Sequence, residues 1–367
     1  MIGSRFHFGF IGFGLIGGSI ARALKNKYTD CIITAYSRSQ EPLLLAKSDG
    51  NIDVITTDID KESFGECDYI FLCTPVQYIS IYLERLPGII HPDCTVTDVG
   101  SVKGFVHEAA ERAGLNSCFI GGHPMTGSES TGYAKSSALL LENAYYLITP
   151  TKQTSEKHLS AYVDLVKSMG AIPIIADYNK HDYYVAGISH LPHLIAGSLV
   201  NLIHDNDSDD QMMKRIAAGG FKDITRIASS SPEMWEQICM TNTDAILKLL
   251  NAYIDSLNDI KEHLTAHEEG YIYKLFERSG EYRNSINDSS RGSLARLHIL
   301  NIELEDKEGA IASVATLLAK HSISIKNIGI VHNREFEHGA LRMEFYDRAS
   351  KELAAMLLEQ NNYSICH

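Results

Sequence analysis

The sequence lacks features that are common in secreted and nucleic-acid-binding proteins. Its seven cysteines are scattered, odd in number and without a C-x-x-C pair, so we expect reduced thiols and no disulfide framework. Basic residues are outnumbered, with 33 Lys and Arg against 46 Asp and Glu, and the net charge is −13. This balance argues against nucleic acid or an anionic membrane as a partner and, with the reduced thiols, favours a cytoplasmic location.

Long hydrophobic runs are also missing. The most apolar window, Leu191 to Ile203, contains Pro192 and His193 and is too short to cross a bilayer. The first residues have no basic segment followed by an apolar one, so no signal peptide is expected. At 367 residues, 44% of them hydrophobic, the chain can form two or three domains with their own cores.

Short apolar runs alternate with helix-compatible stretches in the first half of the chain. The runs are Tyr69–Cys73, Thr95–Val99, Cys118–Ile120, Tyr145–Ile148 and Ile172–Ile175. This alternation predicts an α/β domain over residues 1–176, with a doubly wound, mostly parallel sheet. Strand signals then stop, and the pattern over 177–282 predicts an all-α domain.

One long helix is predicted within the all-α part. Ser231 as N-cap and Pro232 at the first helical position mark its start. Apolar residues then recur at spacings of four and three, at Ile246, Leu250, Tyr253, Leu257, Ile260 and Leu264. This seam indicates either core packing or a dimer surface.

A polar, serine-rich stretch, Ser279 to Gly292, predicts a domain boundary, with a linker at 283–296. Beyond it, strand-like segments at 297–304, 324–331 and 339–346 alternate with helix-like segments at 309–321 and 351–360. They predict a small α+β domain over 297–367. Its sequence offers no nucleophile or metal cluster, which favours binding or regulation over chemistry.

A glycine-rich loop follows the first predicted strand and opens a helix. The strand is marked by Phe6, Phe8 and Phe10, the loop is Gly12-Phe13-Gly14-Leu15-Ile16-Gly17, and the helix is Ser19 to Lys27. Gly12 permits the tight turn, Gly14 lets the backbone approach a pyrophosphate, and Gly17 allows close helix packing. With a second strand at Cys31–Ala35, the pattern predicts a Rossmann-like dinucleotide-binding domain.

The position that normally reads the ribose holds no acid. An NAD enzyme usually has Asp or Glu about 20 residues after the loop, whereas this chain has Tyr36-Ser37-Arg38-Ser39. Arg38 would clamp a 2′-phosphate through its fork of donors, with Ser37 adding a hydroxyl, which favours NADP. The alternative is a solvated arginine beside a site that accepts NAD.

Polar residues follow the ends of three predicted strands. Thr74 and Pro75 come after one strand, Ser101 and Lys103 after the next, and His123 after a third, between two glycines and a proline. Ligands of doubly wound folds bind at this edge of the sheet, so we expect the three loops to face one crevice. His123 is the candidate proton acceptor.

Five ordered motifs make the chain resemble the prephenate dehydrogenase family. They are Gly12–Ser19, Asp98–Gly104, Gly122–Glu129, His190–His193 and Gly220–Arg226. The segment Leu304–Ala310, which joins a predicted strand to a helix, resembles the ACT domain found on some members. The resemblance covers nearly the whole chain.

This resemblance implies oxidative decarboxylation of prephenate to 4-hydroxyphenylpyruvate, in tyrosine biosynthesis, with hydride transfer to NAD or NADP. By resemblance, His123 accepts the proton of the 4-hydroxyl, Ser101 bonds that hydroxyl or orients His123, and Arg226 holds a carboxylate. His193 would contact the substrate and Glu129 would shape the pocket. The implied cofactor-binding residues are Gly12, Gly14, Leu15, Ile16, Gly17, Ser37, Arg38, Thr74 and Pro75.

Several residues keep two interpretations. His190 and His193 have a spacing that suits a metal, but no third ligand is evident and hydride transfer needs none. Asp182 would either cap a helix or pair with a basic group. Trp235 would line the pocket or the core, and Lys103 would be a surface charge or a pocket cation.

Alternatives also remain for the function. Arogenate dehydrogenase differs in the substrate's amine, and the motifs do not decide between the two. A non-catalytic sensor of nucleotide and amino acid is a second alternative, and a β-hydroxyacid reductase, expected to use a lysine, is a third. The ACT-like tail implies tyrosine or phenylalanine as an effector, and with the helical seam it favours a homodimer.

Overall fold

The structure, a computed structural model, describes residues 5–127, 131–286, 298–304, 307–331 and 339–366. The chain divides into two compact units, Met1–Gly280 and Glu281–His367. The first unit contains a sheet domain and a group of helices, and the second contains a small sheet with two helices.

The first unit is built on an eight-stranded sheet. Its strands are β1 (His7–Ile11), β2 (Ile32–Tyr36), β3 (Val54–Thr56), β4 (Tyr69–Leu72), β5 (Thr95–Asp98), β6 (Phe119–Pro124), β7 (Tyr145–Pro150) and β8 (Ile172–Ile175). Their order is β3-β2-β1-β4-β5-β6-β7-β8, and only the β6–β7 pair is antiparallel. The predicted doubly wound, mostly parallel sheet is confirmed.

Helices cover both faces of this sheet. They are α1 (Leu15–Lys27), α2 (Glu41–Ser48), α3 (Lys61–Phe64), α4 (Val76–Leu83), α5 (Gly104–Arg112) and α6 (Glu156–Ser168). Successive strand residues enter different cores: Phe10 packs in one and Ile11 in the other, as do Phe71 and Leu72. Both faces are therefore buried, which explains the continuous apolar runs in the sequence.

The helical part of the first unit follows β8. Its helices are α7 (Tyr178–Val185), α8 (Leu191–Asn206), α9 (Met212–Ile216), α10 (Gly219–Thr225), α11 (Pro232–Thr241), α12 (Thr243–Thr265) and α13 (Tyr271–Ser285). A π-helical turn, Ala186–His190, joins α7 to α8. The predicted all-α region is confirmed, and α13 continues into the region predicted as a linker.

The prediction of one long helix from Ser231 is wrong. Ser231 does cap α11 by accepting a bond from the Met234 amide, but the helix ends at Asn242. The Asn242 backbone leaves the helical range, and its side chain, in a residue 5% exposed, donates to the Asp182 carbonyl and lies 3.0 Å from His190 Nδ1. These tertiary bonds separate α11 from α12.

The apolar seam of α12 is only partly buried within the chain. Ile246 is buried, whereas Leu257 and Leu264 are 46% and 56% exposed. Core packing within one chain therefore accounts for the start of the seam and not for its end.

The continuous helical run Tyr178–Asn206 is much longer than the apolar window predicted from sequence. Among the described residues it is long and apolar enough, by length and composition alone, to cross a membrane, a test that core helices of other proteins also pass. Only 17% of its apolar window is buried inside the chain. The run therefore presents apolar surface that this chain does not cover.

The second unit has the element order β-α-β-β-α-β. Its elements are β9 (His298–Leu304), α14 (Ala310–Lys320), β10 (Ile325–Val331), β11 (Gly339–Phe345), α15 (Arg348–Gln360) and β12 (Ile365–Cys366). The four strands form an antiparallel sheet in the order β10-β11-β9-β12. The predicted α+β class is confirmed, with β12 as an additional strand.

Candidate active site

The glycine-rich loop has the geometry of a dinucleotide turn. Gly12 has φ +87°, and its amide donates to the Tyr36 carbonyl at 2.8 Å. A Cβ at Gly12 would lie 2.7 Å from Thr74 Cγ2, and one at Gly17 would lie 3.1 Å from the Cβ of Cys73. Any side chain at either position would therefore push the β1 loop and α1 away from the end of β4.

The same loop fits a bound pyrophosphate. No side chain caps the start of α1 at Gly14, and nothing lies within 4 Å of a Cβ built there. Leu15 and Ile16, both half-buried, form the first turn of α1, where helix amides have no intrahelical acceptor and suit an anion. After the end of β4, beside this loop, the buried Thr74 Oγ1 has no hydrogen-bond partner among the described residues, and Pro75 precedes α4.

The end of β2 carries a cation and no acid. Ser37 is half-buried, and Arg38 is exposed with its guanidinium 4.9 Å from the centroid of the Tyr78 ring. No carboxylate occurs between Ser37 and Gln40. A ribose at this edge would therefore meet hydroxyls and a guanidinium.

A buried ion pair lies where the loop after β5 meets strand β6. Lys103, interpreted from sequence as a surface or pocket charge, is 0% exposed and pairs with Asp98, also 0% exposed, at the end of β5. Asp98 also accepts bonds from the amides of Gly100, at 2.8 Å, and Gly122, at 3.3 Å. One carboxylate thus ties the loop of Ser101 to the strand that carries His123.

His123 lies inside β6 and not in a loop, which corrects the prediction. The flanking Gly121 and Gly122 are strand residues paired with β7. A Cβ at Gly121 would lie 2.3 Å from Thr149 Oγ1, and one at Gly122 would lie 2.7 Å from the Asp98 carbonyl oxygen. The glycines allow close packing here and do not form a turn.

His123 is the first of three linked side chains. Its Nδ1 lies 2.9 Å from His181 Nε2, and His181 Nδ1 lies 2.8 Å from Asp182 Oδ1. Asp182 also accepts from the amides of Lys103 at 2.7 Å and Gly104 at 2.8 Å, so it caps α5. The interpretation of Asp182 as a helix cap is therefore correct, although the helix is α5 and not its own, and the basic group it contacts is the ring of His181.

Burial keeps these histidines neutral. It lowers the pKa of His123 well below its ordinary value, and the nearby His181 and Lys103 act in the same direction. Burial also lowers the pKa of His181 and brings that of His190 to about 4. A neutral imidazole at His123 is the protonation state that a proton acceptor requires.

A second group of side chains lies on the helical part. His193 Nδ1 donates to the Ser189 carbonyl at 2.8 Å, and its ring stacks on Trp235 with centroids 3.8 Å apart. Burial lowers the pKa of His193, and Arg226 is close enough to add to this effect. Trp235 is half-buried, also packs on the sheet core, and its buried Nε1 has no partner among the described residues.

The structure places the other predicted site residues in different surroundings. Ser101 is half-buried one residue after Gly100, Arg226 is exposed after α10, and Glu129 lies outside the described residues. His181, Asp98 and Asn242 were missed. Within the described ranges no three His, Cys, Asp or Glu side chains form a metal-ligand group.

Comparison with known proteins agrees with this geometry. Residues 20–175 match the family described as prephenate dehydrogenase, nucleotide-binding domain, and residues 177–278 match prephenate dehydrogenase, dimerization domain. The chain is 34% identical over 351 residues to prephenate dehydrogenase of Bacillus subtilis, covering 95% of this chain and 94% of that protein.

Solved structures agree as well. Prephenate dehydrogenase from A. aeolicus, in complex with hydroxyphenyl propionate and NAD+, is 31% identical with a TM-score of 0.73, over 78% of this chain and 100% of that one. Synechocystis arogenate dehydrogenase is 29% identical with a TM-score of 0.69, over 76% of this chain and 99% of that one. The chain is therefore a member of the prephenate dehydrogenase family.

Proposed function

We propose that the chain catalyses the oxidative decarboxylation of prephenate to 4-hydroxyphenylpyruvate, a step of tyrosine biosynthesis. The observation that carries this proposal is the placement of His123, bonded to His181, near the end of β6, at the edge of the parallel sheet where the nucleotide loop follows β1. Hydride leaves the ring carbon that bears the hydroxyl, and the ring carboxylate departs as CO₂. The electron pair of the broken bond makes the ring aromatic, so the reaction is effectively irreversible.

His123 is proposed to take the hydroxyl proton as the C–O bond gains carbonyl character. Because the product keeps a hydroxyl on that carbon, the proton can return to the same oxygen after CO₂ is lost. Ser101 would bond this hydroxyl or orient His123. Arg226 would hold a substrate carboxylate, with His193 beside it and Glu129 shaping the pocket.

A nicotinamide cofactor bound at the Gly12–Gly17 loop supplies the hydride acceptor. The unpartnered Thr74 Oγ1 and the uncapped start of α1 support its placement there. We propose NADP as the preferred form, since Ser37 and Arg38 stand where an acid would repel a 2′-phosphate. The test is kcat/KM for both cofactors in the wild type and in Arg38→Ala. A wild-type preference for NAD would overturn this assignment.

The substrate is tested by assaying prephenate and arogenate side by side. We expect reduced cofactor and CO₂ in equal amounts from prephenate. Arogenate dehydrogenase is the second candidate, because the Synechocystis enzyme of that name is 29% identical. A higher kcat/KM for arogenate would favour it, and no turnover of either substrate would favour a non-catalytic sensor.

The protein is further proposed to form a homodimer through its helical part. The supporting observation is apolar surface that the chain leaves exposed on α8, α12 and α13, at Leu202, Leu247, Ile254, Leu257, Leu264 and Phe276. A second copy would bury this surface. Light scattering after size exclusion should give twice the 40.7 kDa chain mass, and a stable monomer would refute the dimer.

We also infer domain roles: nucleotide binding for 1–176, substrate binding and dimerisation for 177–282, a linker at 283–296, and regulation by an ACT-like domain at 297–367. The β-α-β-β-α-β order of the last part supports an ACT-like fold. A groove of about 780 Å³, which includes Ile323, Ile325 and Tyr346, has room for tyrosine or phenylalanine. Calorimetry with each amino acid tests the effector, and no binding of either would remove it. A cytoplasmic location also stays a prediction.

A further inference from the structure

The Asp182 carboxylate determines which of the two rings donates in the hydrogen bond between His123 and His181. Asp182 Oδ1 lies 2.8 Å from His181 Nδ1, and the same carboxylate accepts from the amides of Lys103 and Gly104. A carboxylate in this position only accepts, so the ring of His181 donates from Nδ1. A neutral His181 then presents its unprotonated nitrogen, Nε2, to His123.

His181 Nε2 therefore accepts the bond from His123 Nδ1, which lies 2.9 Å away. With its proton on Nδ1, a neutral His123 keeps a lone pair on Nε2. We propose that His181 and Asp182 are positioning residues that hold His123 in the tautomer whose Nε2 can accept a substrate proton. The inference rests on the proposed role of His123 as proton acceptor.

The surroundings keep both rings in their neutral forms. The His181 side chain is 0% exposed, and burial lowers the pKa of each ring. The titratable groups that face the two rings are Asp98, Lys103, His107, Asp182 and His190. A second proton on either ring would create a cation close to the buried Lys103, so each ring has one N–H and one lone pair.

Asp182 links this tautomer to the position of Ser101. Its bonds to the amides of Lys103 and Gly104 hold the residues that follow Ser101 at the start of α5. Asn242, in turn, donates to the Asp182 backbone carbonyl at 2.8 Å. Asp182 is thus held from the helical part, and its carboxylate acts on the loop of Ser101 directly and on His123 of β6 through His181.

Two substitutions of His181 distinguish the effect of losing its hydrogen bonds from the effect of losing its ring. Glutamine has its amide oxygen and nitrogen on one carbon, so it can accept from His123 and donate to Asp182 together. Leucine can do neither, yet it leaves the bonds from Asp182 to α5 in place. We expect His181→Leu to lower kcat about 10²-fold, within the range of a misplaced general base, with little change in KM for prephenate. His181→Gln should recover most of the loss.

Asp182→Asn reverses the hydrogen bonds. With the amide nitrogen in the place of Oδ1, that nitrogen donates to His181 Nδ1, so His181 donates to His123 and the proton of His123 moves to Nε2. The same change in a Ser-His-Asp triad lowers kcat about 10⁴-fold through the wrong tautomer. We expect a loss of about 10²- to 10⁴-fold here, with a lower Tm because one amide donor of α5 then faces the new NH₂ group.

The tautomer itself is read by ¹H–¹⁵N NMR of protein labelled at histidine. The His123 signal is identified by its absence in His123→Asn. We expect the proton on Nδ1 in the wild type and on Nε2 in Asp182→Asn. This measurement decides the proposal even if the leucine variant does not fold, and a wild-type His123 protonated at Nε2 would overturn it.

His107→Leu is the matched control. His107 is another buried histidine of this region, and its Nε2 bonds Thr149 Oγ1 and not His123. We expect a lower Tm with kcat within about threefold, since losing a buried hydrogen bond affects mainly stability. Equal kcat in the His181 leucine and glutamine variants would also overturn the positioning role. Wild-type kcat in His123→Asn would instead overturn the proposed role of His123 itself.

Discussion

The two sides of the candidate site are held in different ways. On the buried side, Asp98 and Lys103 are paired at 0% exposure, and the His181 side chain beside His123 is also 0% exposed. On the open side, Arg226 is exposed and His193 is half-buried against Trp235. The groups proposed for proton transfer are thus fixed in one geometry, whereas the groups proposed for substrate binding are accessible from solvent.

The largest effect is expected from replacing the proposed proton acceptor on the buried side. His123→Asn should lower kcat by about 10²- to 10⁴-fold, because the general base is lost. Cofactor affinity should stay nearly unchanged, since the nucleotide loop is untouched. Steady-state kinetics and a cofactor titration measure the two quantities. An unchanged kcat would remove His123 from the mechanism.

Breaking the buried ion pair tests how much the pairing of Asp98 with Lys103 stabilises the buried side. Lys103→Met leaves that carboxylate buried with two backbone donors and no counterion. The expected loss is about 3–5 kcal/mol of unfolding free energy, measured by urea denaturation. In the control, Lys167→Met removes an ion pair whose side chains are 59% and 71% exposed, and it should cost less than about 1 kcal/mol. Equal losses would contradict the distinction.

The parallel sheet was predictable because its local pattern and its tertiary role agree. Each strand alternates between two covered cores, so its run is apolar throughout, and glycines and polar residues separate the runs. The Gly12–Gly17 loop was predictable for the same reason. The positive φ of Gly12 is a local demand that glycine meets, whereas the close contacts of Gly12 and Gly17 with Cys73 and Thr74 come from the end of β4.

Gly121 and Gly122 show where this inference fails. They look like a turn, but both are strand residues whose absent side chains make room for Thr149 and the Asp98 backbone. The neighbours that require glycine come from β5 and β7, and no local pattern shows them. The strand that contains His123 was therefore predicted to end at Ile120, four residues before its observed end at Pro124.

Asn242 and His181 were not predicted for the same reason, because their contacts come from distant parts of the sequence. The sequence from Ser231 to Leu264 is compatible with one helix, yet Asn242 interrupts it through bonds to residues 60 and 52 positions away. His181 bonds His123 from 58 positions away. The adjacent His181-Asp182 pair was the only local signal, and it identified the cap but not the contact with His123.

A smaller effect is expected on the open side. Arg226→Ala should raise KM for prephenate by about 10- to 10²-fold with kcat changed less, because a hydrogen bond to a charged group contributes about 1.5–3 kcal/mol. Arg215→Ala, at an exposed arginine of α9, is the control and should leave KM unchanged. If KM for prephenate is the same in both variants, the carboxylate assignment is wrong.

The smallest expected effect is the change in stability per pH unit. It tests whether the buried side depends on neutral histidines. Burial lowers the pKa of His107 to about 3 and of His190 to about 4, so both stay neutral in the folded protein under mild acid. In the unfolded chain each histidine has its ordinary pKa of about 6.5 and binds a proton below that pH. The stability that these histidines contribute is therefore present above about pH 6.5 and is lost as the pH falls. For each histidine, the free energy of unfolding should fall by about 1.4 kcal/mol for every pH unit below about 6.5.

Thermal unfolding between pH 7.5 and 5.5 measures this slope. The carboxylate of Asp182, whose pKa is lowered, contributes only in stronger acid, so the histidines dominate in this interval. His107→Leu removes one of them and should make the slope less steep by about one proton. A Tm that is constant or rises towards pH 5.5 would mean that the histidines of the buried side take up protons without unfolding, and that its rigidity does not depend on their neutral state.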